Sequence, residues 1–148
     1  MCFEIRKAVL SDLNPALQLD REAFGVDAWS LLDYAGVFSF GGVKKFTALV
    51  NGSFAGFAAA EYDPGRKAVC LMTLAVRAEF RKMGIGTALL KSCEKAFKQR
   101  KYYLTVDCEN HSAIRLYRRN GYVQTGVLRA YYLNGHDALE MEKETDRN

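Results

Sequence analysis

Residues 81–87 constrain the fold of this chain more than any other segment. They read Arg-Lys-Met-Gly-Ile-Gly-Thr and join an apolar run at residues 70–76 to an amphipathic segment at residues 85–97. An almost uninterrupted apolar run is typical of a strand that is covered on both faces. In the segment that follows, apolar residues recur every four positions, which places them on one face of a helix. We therefore predict a central strand, a tight glycine turn and a helix packed on the core.

The same turn predicts an anion site. Gly84 and Gly86 leave backbone N–H groups uncovered where the helix begins, so unpaired amides and the positive end of the helix dipole face one point. Arg81 and Lys82 add side-chain charge there. The Walker pattern and the third glycine of the dinucleotide fingerprint are both absent, so neither ATP nor NAD is indicated. A lone Gly-x-Gly is equally typical of a tight strand-to-helix turn that binds nothing.

Length and composition predict one domain that spans residues 1–148. With 148 residues and 49% hydrophobic content, the chain can bury a sizeable core. Its longest apolar stretches fall far short of the ~20 residues of a membrane span, and no basic region precedes an apolar one at the N-terminus. We expect an unsecreted, soluble protein of the cytoplasm with no membrane partner.

Charge, histidine and cysteine content argue against a metal or nucleic-acid ligand. A net charge of +4 slightly favours an anionic ligand, but no basic tract is interleaved with aromatic residues as a nucleic-acid groove would need. The four cysteines share no Cys-x-x-Cys spacing, which favours buried free thiols, and the two histidines are well separated. Neither set indicates a metal site. The sequence does not indicate an oligomeric state.

The remaining pattern predicts an α/β fold with a mixed sheet. A first strand at residues 2–9 precedes two helices, one ending near Phe24 and one over residues 29–40. Asn51-Gly52 then indicates a hairpin with a two-residue turn, and the strand after it leads to the central strand. A strand at residues 102–108 should lie parallel to the central one through a right-handed crossover, because a helix connects them. A helix capped by Asn110 and two final strands complete the order.

This order resembles the GNAT superfamily of acyl-CoA-dependent N-acetyltransferases over essentially the whole chain. Residues 81–86 match its Arg/Gln-x-x-Gly-x-Gly/Ala pyrophosphate loop, and residues 110–121 match its Asn-x-x-Ala-x-x-Leu-Tyr helix. Within the superfamily the chain is most similar to the branch of ribosomal-protein alanine and N-terminal acetyltransferases. The segments that carry this second resemblance are Ala23-Phe24 with Trp29-Ser30, residues 72–76, Tyr131-Tyr132 and residues 135–141.

The resemblance implies a single GNAT-type domain in which two parallel strands splay apart and acetyl-CoA completes the sheet. It implies that Tyr117 lies beside the thioester sulfur and donates a proton as the thiolate leaves. Packing is the alternative role of that tyrosine. The acceptor side would include Phe24, Tyr131 and Tyr132. The residues implied for acetyl-CoA binding are Leu74, Ala75, Val76, Arg81, Lys82, Met83, Gly84, Ile85, Gly86, Thr87, Asn110 and Tyr117.

The usual general bases of this family are replaced in this chain. Cys70 and Thr105 stand at the two positions where relatives carry an ionisable base, and an apolar strand should raise the pKa of Cys70 rather than lower it. Glu61 and Asp107 could deprotonate the acceptor through a water molecule. Both could equally be solvated surface carboxylates.

The missing base favours an acceptor that loses its proton easily. At pH 7, deprotonation costs about 1 to 1.5 kcal/mol for an α-amine but roughly 4.6 kcal/mol for a lysine side chain. We therefore expect acetyl transfer to a protein N-terminal α-amine by direct attack in a ternary complex. Two alternatives stay open at this point: an acetyltransferase for a small-molecule amine, and an acyl-CoA-binding sensor with little turnover.

Overall fold

A computed structural model describes residues 2–146, which form one seven-stranded mixed sheet and four α-helices. The helices are α1 (Leu13–Phe24), α2 (Leu31–Ser39), α3 (Ile85–Lys95) and α4 (His111–Arg119). The strands are β1 (Phe3–Lys7), β2 (Val43–Val50), β3 (Ser53–Asp63), β4 (Ala68–Val76), β5 (Lys101–Asp107), β6 (Val123–Leu128) and β7 (Ala138–Glu144).

The strand order is β1-β2-β3-β4-β5-β7-β6, so β4 lies at the centre of the sheet as predicted. Strands β1 to β4 pair antiparallel with one another, and the β2–β3 hairpin turns on Asn51 and Gly52, both of which have positive φ angles. That geometry is the reason for the Asn-Gly pair, since a two-residue turn of this kind needs φ above zero at both central positions.

The parallel pair β4 and β5 is hydrogen-bonded at one end only. Its register contains two residue pairs, Val69 with Tyr102 and Cys70 with Tyr103. Beyond Cys70 the two strands separate, although β4 continues to Val76 and β5 to Asp107. The predicted splay of the parallel strands is thus confirmed, and it opens a gap in the middle of the sheet.

Two apolar cores cover the two faces of the sheet. On one face, α3 and α4 contribute Ile85, Leu89, Leu90, Cys93, Ile114 and Tyr117 to the larger core. On the other face, α1 and α2 contribute Ala16, Leu17, Tyr34 and Val37. The helical periodicity read from the sequence predicted the faces of α3, because side chains four residues apart must point the same way.

Three local predictions need correction. Helix α3 ends at Lys95, so Phe97 packs on the core from the following turn and not from the helix. The sequence order predicts Tyr131 and Tyr132 on a late strand, but they lie in the loop 129–137 between β6 and β7. The pair Ser11-Asp12 predicts an N-cap for the first helix. The Asp12 side chain instead accepts hydrogen bonds from Arg6, from the backbone N–H of Val9 and from Thr47.

Within residues 2–146, none of the helices has both the length and the apolar character that crossing a membrane requires.

Candidate active site

A cavity of about 940 Å³ occupies the gap between β4 and β5, and we call it the central cavity. Segments from α1, the α1–α2 connection, α4 and the loop 129–137 complete its walls. Most of the residues that the sequence indicated lie in its lining. These are Leu74, Ala75, Val76, Arg81, Lys82, Gly84, Ile85, Gly86, Thr87, Asn110 and Tyr117 from the implied acetyl-CoA set, with Phe24, Tyr132 and Asp107.

Three indicated residues lie outside that lining. Met83 is half-buried and packs on the larger core. Tyr131 is 55% exposed and contacts the edge of Tyr132, with 5.0 Å between ring centroids. Glu61 is exposed on β3, where it pairs with Cys70. The structure therefore does not bring Glu61 to Tyr117.

The two glycines of the turn have different structural reasons. Gly84 is the N-cap of α3 with φ +88°, a left-handed conformation, and the space beside its Cα is open. A Cβ on Gly86 would instead lie 3.2 Å from the Leu116 side chain. The sequence interpretation assigned both glycines to phosphate approach. For Gly86 the structure shows close packing of α3 against α4.

Four basic side chains border the central cavity. Arg81 and Lys82 do so from the glycine turn, and the Arg81 Nε donates a hydrogen bond to the carbonyl of Val76. Arg115 and Arg119 border it from α4. Sequence reasoning missed the two α4 arginines, although their spacing of four residues places both on one helix face. The free amides at the start of α3 lie close to α4, since a Cβ on Gly86 would meet Leu116.

Tyr117 projects from α4 into the lining and is 6% exposed. Its ring packs edge-on against Tyr122, with centroids 5.9 Å apart. Among residues 2–146 its hydroxyl has no hydrogen-bond partner. Burial raises its pKa, and the nearby Tyr132 and Cys93 raise it further. The hydroxyl therefore stays protonated at neutral pH and can donate to a group bound in the cavity.

Carboxylates also border the central cavity. Asp20 is buried and accepts hydrogen bonds from the backbone N–H of Trp29 at 2.7 Å and from the Tyr34 hydroxyl at 2.8 Å. Burial raises its pKa despite these bonds. Asp27 accepts from the backbone N–H of Leu133 at 2.7 Å, which ties the α1–α2 connection to the loop 129–137. No local sequence pattern indicates these contacts.

Asp107, on β5, holds the same loop from the opposite side. Its carboxylate accepts a 2.9 Å hydrogen bond from Asn134 Nδ2, and both of its oxygens lie 3.0 Å from Nδ1 of His136. Burial opposes ionisation, but the bonds from Asn134, the Glu109 N–H and His136 hold the pKa of Asp107 below its ordinary value. His136 also lines the central cavity. Sequence reasoning considered it only as a metal ligand.

The two positions that lack the usual base behave differently. Thr105 lines the central cavity, whereas Cys70 does not. Burial raises the pKa of the Cys70 thiol, as the sequence predicted. Within residues 2–146, no three side chains of the metal-binding types cluster closely enough to hold an ion.

The residues present fit an ester of coenzyme A. The basic side chains and the free amides at the start of α3 suit a diphosphate, and the unpaired edges of β4 and β5 suit the amides of a pantetheine arm. The class defined by fold and site is that of an acyl-CoA-dependent transferase. Residues 8–122 match the model of the Acetyltransferase (GNAT) family, and the chain belongs to that family. It is therefore an acetyl-CoA-dependent acyltransferase.

Several proteins similar to this chain are acetyltransferases of related kinds. The chain is 31% identical to an N-alpha-acetyltransferase of Sulfurisphaera tokodaii over 94% of its own length and 91% of that protein. The structure of ribosomal-protein-S18-alanine N-acetyltransferase from Escherichia coli is 26% identical, with TM-score 0.83 and coverage of 97% and 94%. Arabidopsis thaliana Naa50 in complex with the bisubstrate analogue CoA-Ac-MVNAL is 25% identical, with TM-score 0.82 and coverage of 97% and 99%.

Proposed function

We propose that this enzyme transfers the acetyl group of acetyl-CoA to a protein N-terminal α-amine, by direct attack in a ternary complex. The observation that carries the proposal is the presence of two charged groups in the lining of the central cavity. Arg81, Lys82 and the α4 arginines suit the anionic donor. Asp27 and Asp107, which both bind the loop 129–137, suit an ammonium group together with Asp20. The names of two similar proteins, an N-alpha-acetyltransferase and a ribosomal-protein-S18-alanine N-acetyltransferase, support the choice of acceptor.

The energy of deprotonation favours the same acceptor. An α-amine loses its proton at neutral pH for about 1 to 1.5 kcal/mol, which is roughly 3 kcal/mol less than a lysine side chain requires. The α1–α2 connection and the loop 129–137 are held together, since the Asp27 carboxylate accepts a hydrogen bond from the backbone N–H of Leu133. An N-terminal residue would bind beside these two segments, next to Phe24 and Tyr132.

In this proposal Tyr117 is the general acid. Its buried hydroxyl, free of partners among residues 2–146, would donate a proton to the sulfur as the C–S bond breaks. Asn110 caps α4 through a 3.3 Å bond to the Ala113 N–H and thereby sets the register that brings Tyr117 to the cavity. The cytoplasmic location and the single domain stay predictions.

A matched peptide panel tests the acceptor. One set carries a free N-terminus and no lysine, and the other carries a blocked N-terminus and one lysine. Thiol release from acetyl-CoA should be efficient with the first set and at background with the second. Preference for the blocked set would overturn the proposal. Turnover with small amines alone would indicate the small-molecule alternative, and tight acetyl-CoA binding with no acceptor would indicate the sensor.

A further inference from the structure

We propose that His136 is the general base that deprotonates the acceptor amine, and that Asp107 is the residue that positions it. The inference rests on the proposed acetyl transfer but not on which amine accepts it. His136 would supply the general base that is missing from positions 70 and 105, where this chain has Cys70 and Thr105.

The geometry around His136 is that of an oriented imidazole. Nδ1 lies 3.0 Å from both oxygens of Asp107. A carboxylate can only accept, so in the neutral ring Nδ1–H donates to Asp107 and Nε2 carries the lone pair. Among residues 2–146, Nε2 has no partner. The free nitrogen thus belongs to a side chain of the cavity lining.

The loop holds its shape without the imidazole. The backbone N–H of His136 donates to Asn134 Oδ1 at 2.8 Å, and its carbonyl accepts from the Tyr132 N–H at 3.2 Å. The Leu133 N–H is bound to Asp27. Since these bonds use backbone atoms at position 136, a substitution there removes the ring and leaves the loop anchored. The side chain is 45% exposed, so its loss opens no core cavity.

The chemistry favours His136 over the carboxylates. A neutral imidazole is intrinsically a stronger base than a carboxylate and therefore takes a proton from an α-amine at a smaller cost. The pKa of Asp107 lies below that of an ordinary carboxylate because of its hydrogen bonds. The other charged or titratable groups around the loop already serve other contacts or line the cavity at a distance from Nδ1: Asp27, Glu109, Arg129, Tyr132 and Asp137.

The proton balance is complete with residues of this chain and solvent. The ammonium gives one proton to His136 Nε2, and the neutral amine then forms the C–N bond. As the C–S bond breaks, Tyr117 gives its proton to the sulfur and regains one from the acetylated nitrogen. His136 releases the first proton to solvent. The products are the amide, the free thiol and one proton.

The experiment is the pH dependence of kcat/KM in the full-length enzyme with an unblocked peptide. For the wild type, activity should level off at a lower pH than the one at which the free α-amine loses its own proton. For His136→Gln it should fall by about 10²-fold at pH 7 and rise toward the pKa of the amine near 8. The loss should shrink above pH 8, since neutral amine is then abundant. A purely structural defect would lower activity equally at every pH.

Matched variants make the result specific. His111 forms a similar pair with Glu109, with Nε2 3.2 Å from Oε2, but lies outside the cavity lining. His111→Gln should keep the wild-type profile. Asp107→Asn should reduce activity less than His136→Gln and leave a rise with pH. Added imidazole should restore part of the activity of His136→Ala. Acetyl-CoA affinity and the thermal unfolding temperature should stay unchanged in both His136 variants. These two measurements test whether the variants fold.

Three outcomes would overturn the inference. Folded His136→Gln could keep the wild-type pH dependence of kcat/KM, or its loss of activity could be the same at every pH. In the third outcome, the fall of kcat/KM at low pH disappears in Asp20→Asn alone. Failure of the proposed acceptor is a separate result. If the enzyme prefers a small amine or a lysine, the same profiles are measured with that amine, because each must lose a proton before attack.

Discussion

The ring and the hydroxyl of Tyr117 have different surroundings. The ring packs edge-on against Tyr122 in the larger core. The hydroxyl has a raised pKa and no hydrogen-bond partner within residues 2–146, and the side chain lines the central cavity. Packing therefore accounts for the ring, and the proton-donor role stays a prediction that concerns the hydroxyl alone.

Replacing Tyr117 by Phe should separate those roles. The ring still packs on Tyr122, so stability and acetyl-CoA affinity should change little. Because the proton donor is lost, kcat should fall by about 10²-fold or more. Steady-state kinetics measure the loss of kcat, and thermal unfolding measures stability. Tyr62→Phe, at an exposed position on β3, is the control. A variant that turns over like the wild type would mean that solvent protonates the thiolate.

Asp12 is a buried carboxylate that holds three segments at the start of the fold. It accepts a 2.7 Å bond from Arg6 on β1, a 3.0 Å bond from Thr47 on β2 and a 2.8 Å bond from the Val9 N–H. Burial alone would raise its pKa, but these donors together hold the pKa below its ordinary value. A lowered pKa in the folded state means that the ionised form stabilises the fold.

The stability of the Asp12→Asn variant should therefore depend on pH relative to wild type. Above pH ~5 the variant should lose about 1 to 3 kcal/mol, because buried donors are left poorly paired. As the pH falls through the lowered pKa of Asp12, the wild type protonates too and the difference should narrow. Denaturant unfolding at several pH values measures this. Glu144→Gln, exposed at the end of β7, should show no such convergence, and a difference independent of pH would contradict the assignment.

At the scale of elements, the contact between α3 and α4 explains Gly86. A Cβ there would lie 3.2 Å from Leu116 Cδ2, so a larger side chain must push α4 away. Gly86→Val should cost about 1 to 3 kcal/mol of stability through overpacking. Adding Leu116→Ala should return part of that loss, since it removes the obstructing atoms. A double-mutant cycle of unfolding free energies measures the coupling, and strict additivity would contradict the packing role.

The elements were predictable because their signals are local. Apolar periodicity gave the face of α3, and Asn51-Gly52 gave the hairpin, since both patterns act within a few residues. The contacts that hold the loop 129–137 were not predictable in this way. His136 and Asp107 are 29 residues apart, and Asp27 and Leu133 are 106 apart. Such pairs form only after the sheet has brought β5, the α1–α2 connection and the loop 129–137 together.

At the scale of the whole molecule, the net charge of +4 matters less than its arrangement. Basic side chains from the glycine turn and α4 border the central cavity, and so do carboxylates from α1, the α1–α2 connection and β5. Each group is drawn from distant parts of the sequence. In the proposed function the basic group binds the anionic donor and the carboxylates receive the acceptor, a separation of roles that the net charge does not reveal.

This arrangement predicts that salt weakens the binding of acetyl-CoA but not the binding of a thioester donor that lacks phosphates. Screening lengths fall from about 10 Å at 0.1 M salt to about 3 Å at 1 M, so KM for acetyl-CoA should rise several-fold over that range. KM for S-acetyl-N-acetylcysteamine, which carries the thioester but no phosphate, should stay nearly constant. The Arg115→Gln/Arg119→Gln double variant should have a higher KM for acetyl-CoA and a weaker salt dependence. Arg118→Gln, on the same helix but outside the cavity lining, should retain the wild-type dependence. Equal salt dependence for both donors, or equal flattening by Arg118→Gln, would show that the α4 arginines do not bind the phosphates.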